Sequence, residues 1–279
     1  MEPGTQPEAP PARNAEPGDG TAGARPEVVI AVQGLECRQG ERVILKDVSF
    51  EVARGELFFV IGVSGCGKST LLKHLIGLLP VAAGTIAYFG RDFTRAAPAE
   101  RRALQTRFGV SYQYGALWSS MTLAENVALP LEEHTTLSRR ERFEIVRWKL
   151  AQVGLAGFED HFPAELSGGM RKRAAIARAL ALDPEIIFFD EPAAGLDPIT
   201  ARSLDRLILE IRNNLHTTMV IVSHELSSIL GIADRAILLH TDVQGILATG
   251  APRRMLAESA DPRVREFLAP EDVIASPSK

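Results

Sequence analysis

Apolar residues along this chain follow two patterns, and the change from one to the other divides it. The first is the short uninterrupted run: Leu57-Phe58-Phe59-Val60-Ile61, then Ile186-Ile187-Phe188-Phe189 and Thr217–Val222. Runs of this length, bounded by turn residues or charges, predict strands covered on both faces, as in a parallel sheet. Phe108–Tyr112 predicts a shorter core strand. Val28–Leu35 and Arg42–Val52 predict strands joined through a Gly40-Glu41 turn, and Gly84–Gly90 another. Arg235–His240 with Gly245–Gly250 predicts a hairpin at a sheet edge.

The second pattern has the helical period. Phe143, Val146, Leu150 and Val153 recur at spacings of three and four, on a helix that Ser138 can cap. Helices are also expected over Leu71–Leu79, Ala97–Arg107, Met170–Leu182 and Pro198–Asn214, with short ones at Arg253–Ala257 and Arg263–Leu268. Residues 114–165 are helical in pattern throughout and read as a subdomain inserted into an α/β core. Residues 1–26, rich in Pro, Gly, Ala and Glu without apolar periodicity, read as a disordered tail. Residues 269–279 read as a second, polar tail, leaving 27–268 as the folded domain.

Composition adds limits. The chain has 279 residues, 46% hydrophobic and 24% charged, enough for a full core. A net charge of −4 argues against a surface that coats nucleic acid. Two cysteines, Cys37 and Cys66, without C-x-x-C spacing, predict neither a disulfide scaffold nor a zinc site. No apolar stretch reaches the ~20 residues that span a bilayer, and no signal-peptide core is present.

Chemistry concentrates where strands end. Between the Leu57–Ile61 strand and the next helix lies Gly62-Val63-Ser64-Gly65-Cys66-Gly67-Lys68-Ser69-Thr70, which fits G-x-x-x-x-G-K-[ST]. A glycine-rich turn there aims several backbone N–H groups at one point, at the positive end of a helix dipole, which suits a polyphosphate. Lys68 would reach the β- and γ-phosphates, and the Ser69 hydroxyl would be a Mg²⁺ ligand. Cys66, at a helix N-terminus beside Lys68, is expected to favour its thiolate. The Ile186–Phe189 strand ends in Asp190-Glu191, placing one carboxylate for Mg²⁺ and the other for the attacking water. His224 stands at the end of a further core strand. Leu166-Ser167-Gly168-Gly169-Met170 opens another helix with Ser-Gly-Gly, a second anion site that one nucleotide does not explain. Two chains head to tail, each closing the other's nucleotide, would use both.

In this order the motifs resemble the ATP-binding-cassette (ABC) ATPases over about residues 28–260. Gly62–Thr70 resembles the Walker A loop, Gln113 the Q-loop glutamine, Leu166–Met170 the signature and Asp190-Glu191 the Walker B acids. Ala194-Gly195-Leu196-Asp197 resembles the D-loop, and His224 the switch histidine. The resemblance implies a P-loop NTPase fold of the ABC type: a RecA-like core sheet, an antiparallel β subdomain and an inserted helical subdomain. It implies Mg-ATP held between two subunits, with Glu191, His224 and Gln113 catalytic, Ser69, Gln113 and Asp190 on the metal, and Asp197 at the D-loop. Many members stack adenine on an aromatic residue ahead of Walker A. Here that stretch is Cys37-Arg38-Gln39-Gly40, and Arg38 is the candidate for the base.

Tyr114-Gly115-Ala116-Leu117-Trp118, Asn126–Leu131, Leu166–Arg173, Asp197-Pro198-Ile199-Thr200 and Asp261–Leu268 narrow the resemblance to the ATPases of Mla (maintenance of lipid asymmetry) and Mce-type transporters. This implies a homodimer working with a membrane permease and lipid-binding subunits at the cytoplasmic face of a bacterial inner membrane, moving phospholipid. An ABC transporter for another substrate, such as an organic solvent or other small molecule, is the alternative. A soluble ABC ATPase fits less well, since the chain has neither a second cassette nor a long coiled-coil insertion.

Overall fold

The computed structural model describes residues 26–269. The expectations of disordered tails therefore fall, but for Pro26 and Ala269, outside the described residues.

Two sheets share the described residues. The larger has six strands in the order β10-β9-β3-β8-β7-β6, formed by β3 (Leu57–Ile61), β6 (Phe108–Ser111), β7 (Ile186–Asp190), β8 (Thr218–Ser223), β9 (Arg235–His240) and β10 (Gly245–Gly250). β6, β7, β8, β3 and β9 run parallel, while β10 turns back against β9 as the expected edge hairpin. The smaller sheet is antiparallel, in the order β2-β1-β4-β5: β1 (Val28–Gln39), β2 (Arg42–Ala53), β4 (Ala83–Tyr88) and β5 (Arg91–Asp92).

The continuous apolar runs have the physical cause that the pattern suggests. Successive side chains of a strand point to opposite faces, and here both faces are covered. Leu57, Phe59 and Ile61 of β3, Ile187 and Phe189 of β7, and Met219 and Ile221 of β8 join a core shared with the long helices. Phe58 and Val60, Ile186 and Phe188, and Val220 and Val222 join a second core shared with the antiparallel sheet and α1 (Lys68–Leu75).

Several boundaries differ from the sequence expectations. The helix after the phosphate loop runs over Lys68–Leu75, not Leu71–Leu79, because Gly77 takes φ +80° and the chain turns away. α2 (Pro98–Gln105) lies within its expected range. α3 (Leu123–His134) and α4 (Arg139–Gln152) fill the helical block; Ser138 caps α4, accepting from the Glu141 N–H, and Glu141 returns the bond. α5 (Gly168–Ala179) stops three residues early, and α6 spans Pro198–Leu215. α7 (Leu226–Ile232) is not expected from the sequence; α8 (Pro252–Glu258) and α9 (Pro262–Leu268) are. No helix among the described residues is long and apolar enough to cross a membrane.

Candidate functional site: a phosphate-loop cavity at the strand ends

The parallel register brings the chemistry together. Ile61 at the end of β3 pairs with Ser223 at the end of β8, whose Val222 pairs with Asp190 at the end of β7. The phosphate loop, the two acids and His224 thus leave neighbouring strands on one edge, with Gln113 just beyond β6. A cavity of about 770 Å³ opens there, lined by Val63–Thr70, Gln113, Glu191 and His224. The antiparallel sheet closes it with Gln39, Arg42, Val43 and Ile44.

The loop must begin with glycine. Gly62 sits at φ +148°, and a Cβ there would lie 2.5 Å from the Leu239 carbonyl oxygen and 2.6 Å from Cys66 Sγ. Lys68, nearly buried, folds its ammonium back onto the loop, donating to the carbonyls of Gly62 at 2.8 Å and Val63 at 3.1 Å. It also lies 3.9 Å from Glu191 Oε1. The other carboxylate oxygen of Glu191 is 2.9 Å from His224 Nδ1 and accepts from the His224 N–H at 3.3 Å. Glu191 takes φ +48°, a left-handed conformation that few bulky residues adopt and that recurs at functional positions. A cation, a carboxylate and an imidazole are therefore linked in one chain of contacts.

Beside this chain of contacts, Ser69 Oγ donates to Asp190 Oδ1 at 3.1 Å. Burial raises the Asp190 pKa against the pull of the Ser69 hydrogen bond. This puts a hydroxyl and a carboxylate on one spot, and Gln113 lines the cavity that Ser69 also lines; oxygen donors of these kinds suit Mg²⁺.

Two expectations need correction. Arg38 is not among the residues lining the cavity; its Nε donates to Glu36 Oε1 at 2.6 Å, and Gln39 and Arg42 reach the cavity instead. Cys66 is buried, and that burial raises its thiol pKa despite Lys68 and the backbone N–H groups nearby. The sequence reading also missed Phe267, which α9 brings to the cavity rim, and Thr241 and Gln244 from the β9–β10 turn. No local signal marks them, because they reach the site only through the fold.

The signature lies elsewhere. Ser167 caps α5 and accepts from the Met170 N–H at 3.3 Å. A Cβ on Gly169 would meet Thr200 Cγ2 at 2.7 Å, and one on Gly168 would meet Leu196 at 3.8 Å. Leu166–Met170 thus packs against the segment holding Asp197, which caps α6 by accepting from the Ile199 and Thr200 N–H groups. None of Leu166, Ser167, Gly168, Gly169, Met170 and Asp197 lines the phosphate-loop cavity.

A family model described as "ABC transporter" matches residues 45–194. The chain belongs to the ABC transporter family. It is an ABC ATPase, and ATP is the nucleotide its loop is built for. "Probable ribonucleotide transport ATP-binding protein mkl" of Mycobacterium tuberculosis H37Rv is 43% identical over 253 residues, 91% of this chain and 70% of the relative. "Intermembrane phospholipid transport system ATP-binding protein MlaF" of Escherichia coli K12 is 39% identical over 240 residues, 86% of this chain and 88% of the relative. A solved dimer of the ATP-binding cassette MJ0796 with ADP and Pi superposes with TM-score 0.72 at 28% identity, covering 80% of this chain and 98% of that one. CbiO1 of Clostridium perfringens, at TM-score 0.75 and 24% identity over 89% of this chain and 97% of that one, shares the fold.

Proposed function

We propose that this ABC ATPase energises a membrane transporter that moves phospholipid between bacterial membranes, from the cytoplasmic face of the inner membrane. The observation that carries the substrate is the relationship to MlaF proteins at 39–40% identity, spanning 88–91% of those relatives. The ribonucleotide reading attached to the Mycobacterium relative is the second candidate; that match leaves about three tenths of the relative uncovered. In this reading residues 27–268 form the ATPase domain and residues 114–165 its helical block, which meets an Mla/Mce-type permease with lipid-binding subunits.

Phosphoryl transfer asks the protein for positioning and charge neutralisation. The N–H groups of Gly65–Ser69, at the positive end of α1, would hold the β-phosphate. Lys68 would leave the Gly62 and Val63 carbonyls for the phosphates, loosening its contact with Glu191 as it goes. Glu191 would then take the proton of the attacking water, with His224 holding its carboxylate in place. Gln113 would report the γ-phosphate to the helical block. Mg²⁺, when bound, would be held by Ser69, Asp190 and Gln113 and would neutralise phosphate charge. Ser167–Gly169 and Asp197, remote from this chain's own cavity, would face the nucleotide of a second copy.

Two experiments test the reading. Glu191→Gln should keep ATP binding, lose roughly 10²–10⁴ in turnover, and accumulate an ATP-bound dimer in light scattering. A mutant that stays monomeric in saturating Mg-ATP with the permease present would sink the dimer. For the substrate, a strain lacking this protein should show phospholipid in the outer leaflet of its outer membrane and become detergent-sensitive, with Lys68→Ala failing to rescue it. Normal lipid distribution with impaired ribonucleotide uptake would select the second candidate.

A further inference from the structure

Helix α5 carries a buried cation that the reaction described above does not use. Lys172, five residues past the cap Ser167, is 8% exposed. Its ammonium donates to the carbonyl of Gln113 and, at 3.1 Å, to the carbonyl of Glu191. These acceptors follow different strands, β6 and β7, and belong to the residues assigned to sensing the γ-phosphate and activating water. A buried ammonium is retained only where it is hydrogen-bonded. An unbranched apolar side chain would fill the same space with less desolvation, so packing alone does not account for a cation here.

The same helix holds the rest of that loop. Arg178 donates from Nη1 to the Ala116 carbonyl at 2.7 Å and from Nη2 to the Gly115 carbonyl at 2.9 Å. Gly115 lies so close to α5 that a Cβ on it would be 3.5 Å from both the Arg171 carbonyl oxygen and Ala175 Cβ. Three carbonyls of the loop after β6 thus accept from cations of α5, and one of those cations also grips the backbone of the water-activating residue. The N-terminus of α5 is the signature itself.

We infer that Lys172 is a positioning residue that couples the two nucleotide sites of the dimer. It ties Gln113 and Glu191, at a chain's own site, to the helix that offers Ser167 to the ATP held by the other chain. The inference rests on the head-to-tail arrangement proposed above. From Lys172 to Ser167 is about 7.5 Å along a stiff helix axis. A shift of Gln113 or Glu191 on nucleotide binding would therefore pull, through the ammonium's bonds, on the helix that begins with the signature. Coupling of this kind is reciprocal between the sites. Its removal should lower cooperativity in ATP while leaving a single binding event intact.

The test uses the full-length chain and its Lys172→Met and Lys172→Arg variants, comparing turnover against ATP concentration, binding of a fluorescent ATP analogue, and melting temperature. Lys172→Met should bind the analogue within about threefold of wild type, while its Hill coefficient falls toward one and kcat falls about tenfold. Lys172→Arg, which keeps a permanent cation, should recover most of the cooperativity. A folded Lys172→Met variant with wild-type Hill coefficient overturns the inference, whether or not its kcat has changed. If Lys172→Met does not fold, amide exchange of the wild type decides, at a dilution where scattering shows monomers. ATP should then slow exchange at residues 113–116 and alter it at 167–171 together, and an effect confined to 113–116 overturns the coupling. A wild type that never dimerises on Mg-ATP removes the head-to-tail arrangement and the coupling together. A wild type that dimerises, matched by an equally cooperative Lys172→Met variant, removes the coupling alone.

Discussion

Cys66 lies at a helix N-terminus with a lysine two residues on, features that both favour a thiolate, yet its surroundings reverse the expectation. The side chain is buried beneath Gly62, and desolvation outweighs Lys68 and the backbone N–H groups, raising the pKa. Cys37 is buried in the antiparallel sheet and is pushed up to about 12. A raised pKa means less thiolate at any given pH, so neither cysteine should react quickly with iodoacetamide in the native chain near neutrality. The rate at Cys66 should climb only at pH above the ordinary thiol value of ~8.5. Rapid, ATP-sensitive labelling of Cys66 at pH 7, read by mass spectrometry, would show that the loop opens far more than its packing allows. Arg38 fails for a different reason. Its guanidinium is held by Glu36, two residues back on the same strand, while Gln39 and Arg42 line the cavity. Sequence alone does not reveal which residues around the β1–β2 turn face the cavity, whereas the phosphate loop and paired acids are legible because their chemistry requires contiguous residues. Arg38→Ala should therefore leave ATP affinity within about twofold, and Arg42→Ala should weaken it by more, since Arg42 lines the cavity. Parallel titrations of the two variants with ATP and GTP would settle which residue the base feels.

Strands were more legible than helix ends. A run such as Leu57–Ile61 has one stable fate, a strand with both faces covered, and its alternate residues do divide between the two cores. Helix ends depend on single dihedrals, as at Gly77, and α7 has too few residues to display a period. The approach of β6 to α5 was invisible, although one glycine enables it. A Cβ on Gly109 would lie 2.3 Å from the Ala179 carbonyl oxygen, at the end of α5, and 3.1 Å from the Pro184 ring. Backbone φ at Gly109 is ordinary, so the constraint is contact alone. Gly109→Ala should push β6 from the helix and cost about 1–3 kcal/mol, the usual range for overpacking. Thermal unfolding should register it, and because β6 leads to Gln113, turnover should fall as well. A variant that melts like wild type would show that α5 can shift to accept the methyl group.

In the function proposed above, events at the strand ends would move a surface that meets the permease, and the start of the helical block offers the candidate for it. Tyr114 and Trp118 are 87% and 61% exposed. Two large aromatic residues displayed within five positions of each other, directly after Gln113, present an apolar patch of the kind that marks a contact with another protein. Their loop is held by Asn126, which is fully buried in α3. Its Oδ1 accepts from the Trp118 N–H at 2.8 Å, and its Nδ2 donates to the carbonyls of Trp118, Met121 and Thr122 at 2.9–3.1 Å. Replacing it with alanine leaves those backbone groups unpaired, at about 1–3 kcal/mol for a buried orphan, and frees the loop that carries Trp118. The nucleotide cavity has no side chain in this loop beyond Gln113. Asn126→Ala should therefore retain ATP turnover of the isolated chain within about twofold, while the rate in the reconstituted transporter falls about tenfold, the scale of a typical coupling energy. Trp118→Ala should reproduce the second effect without the loss of stability. Equal losses in the isolated chain and in the transporter would place the loop's role in the ATPase itself and not at the permease.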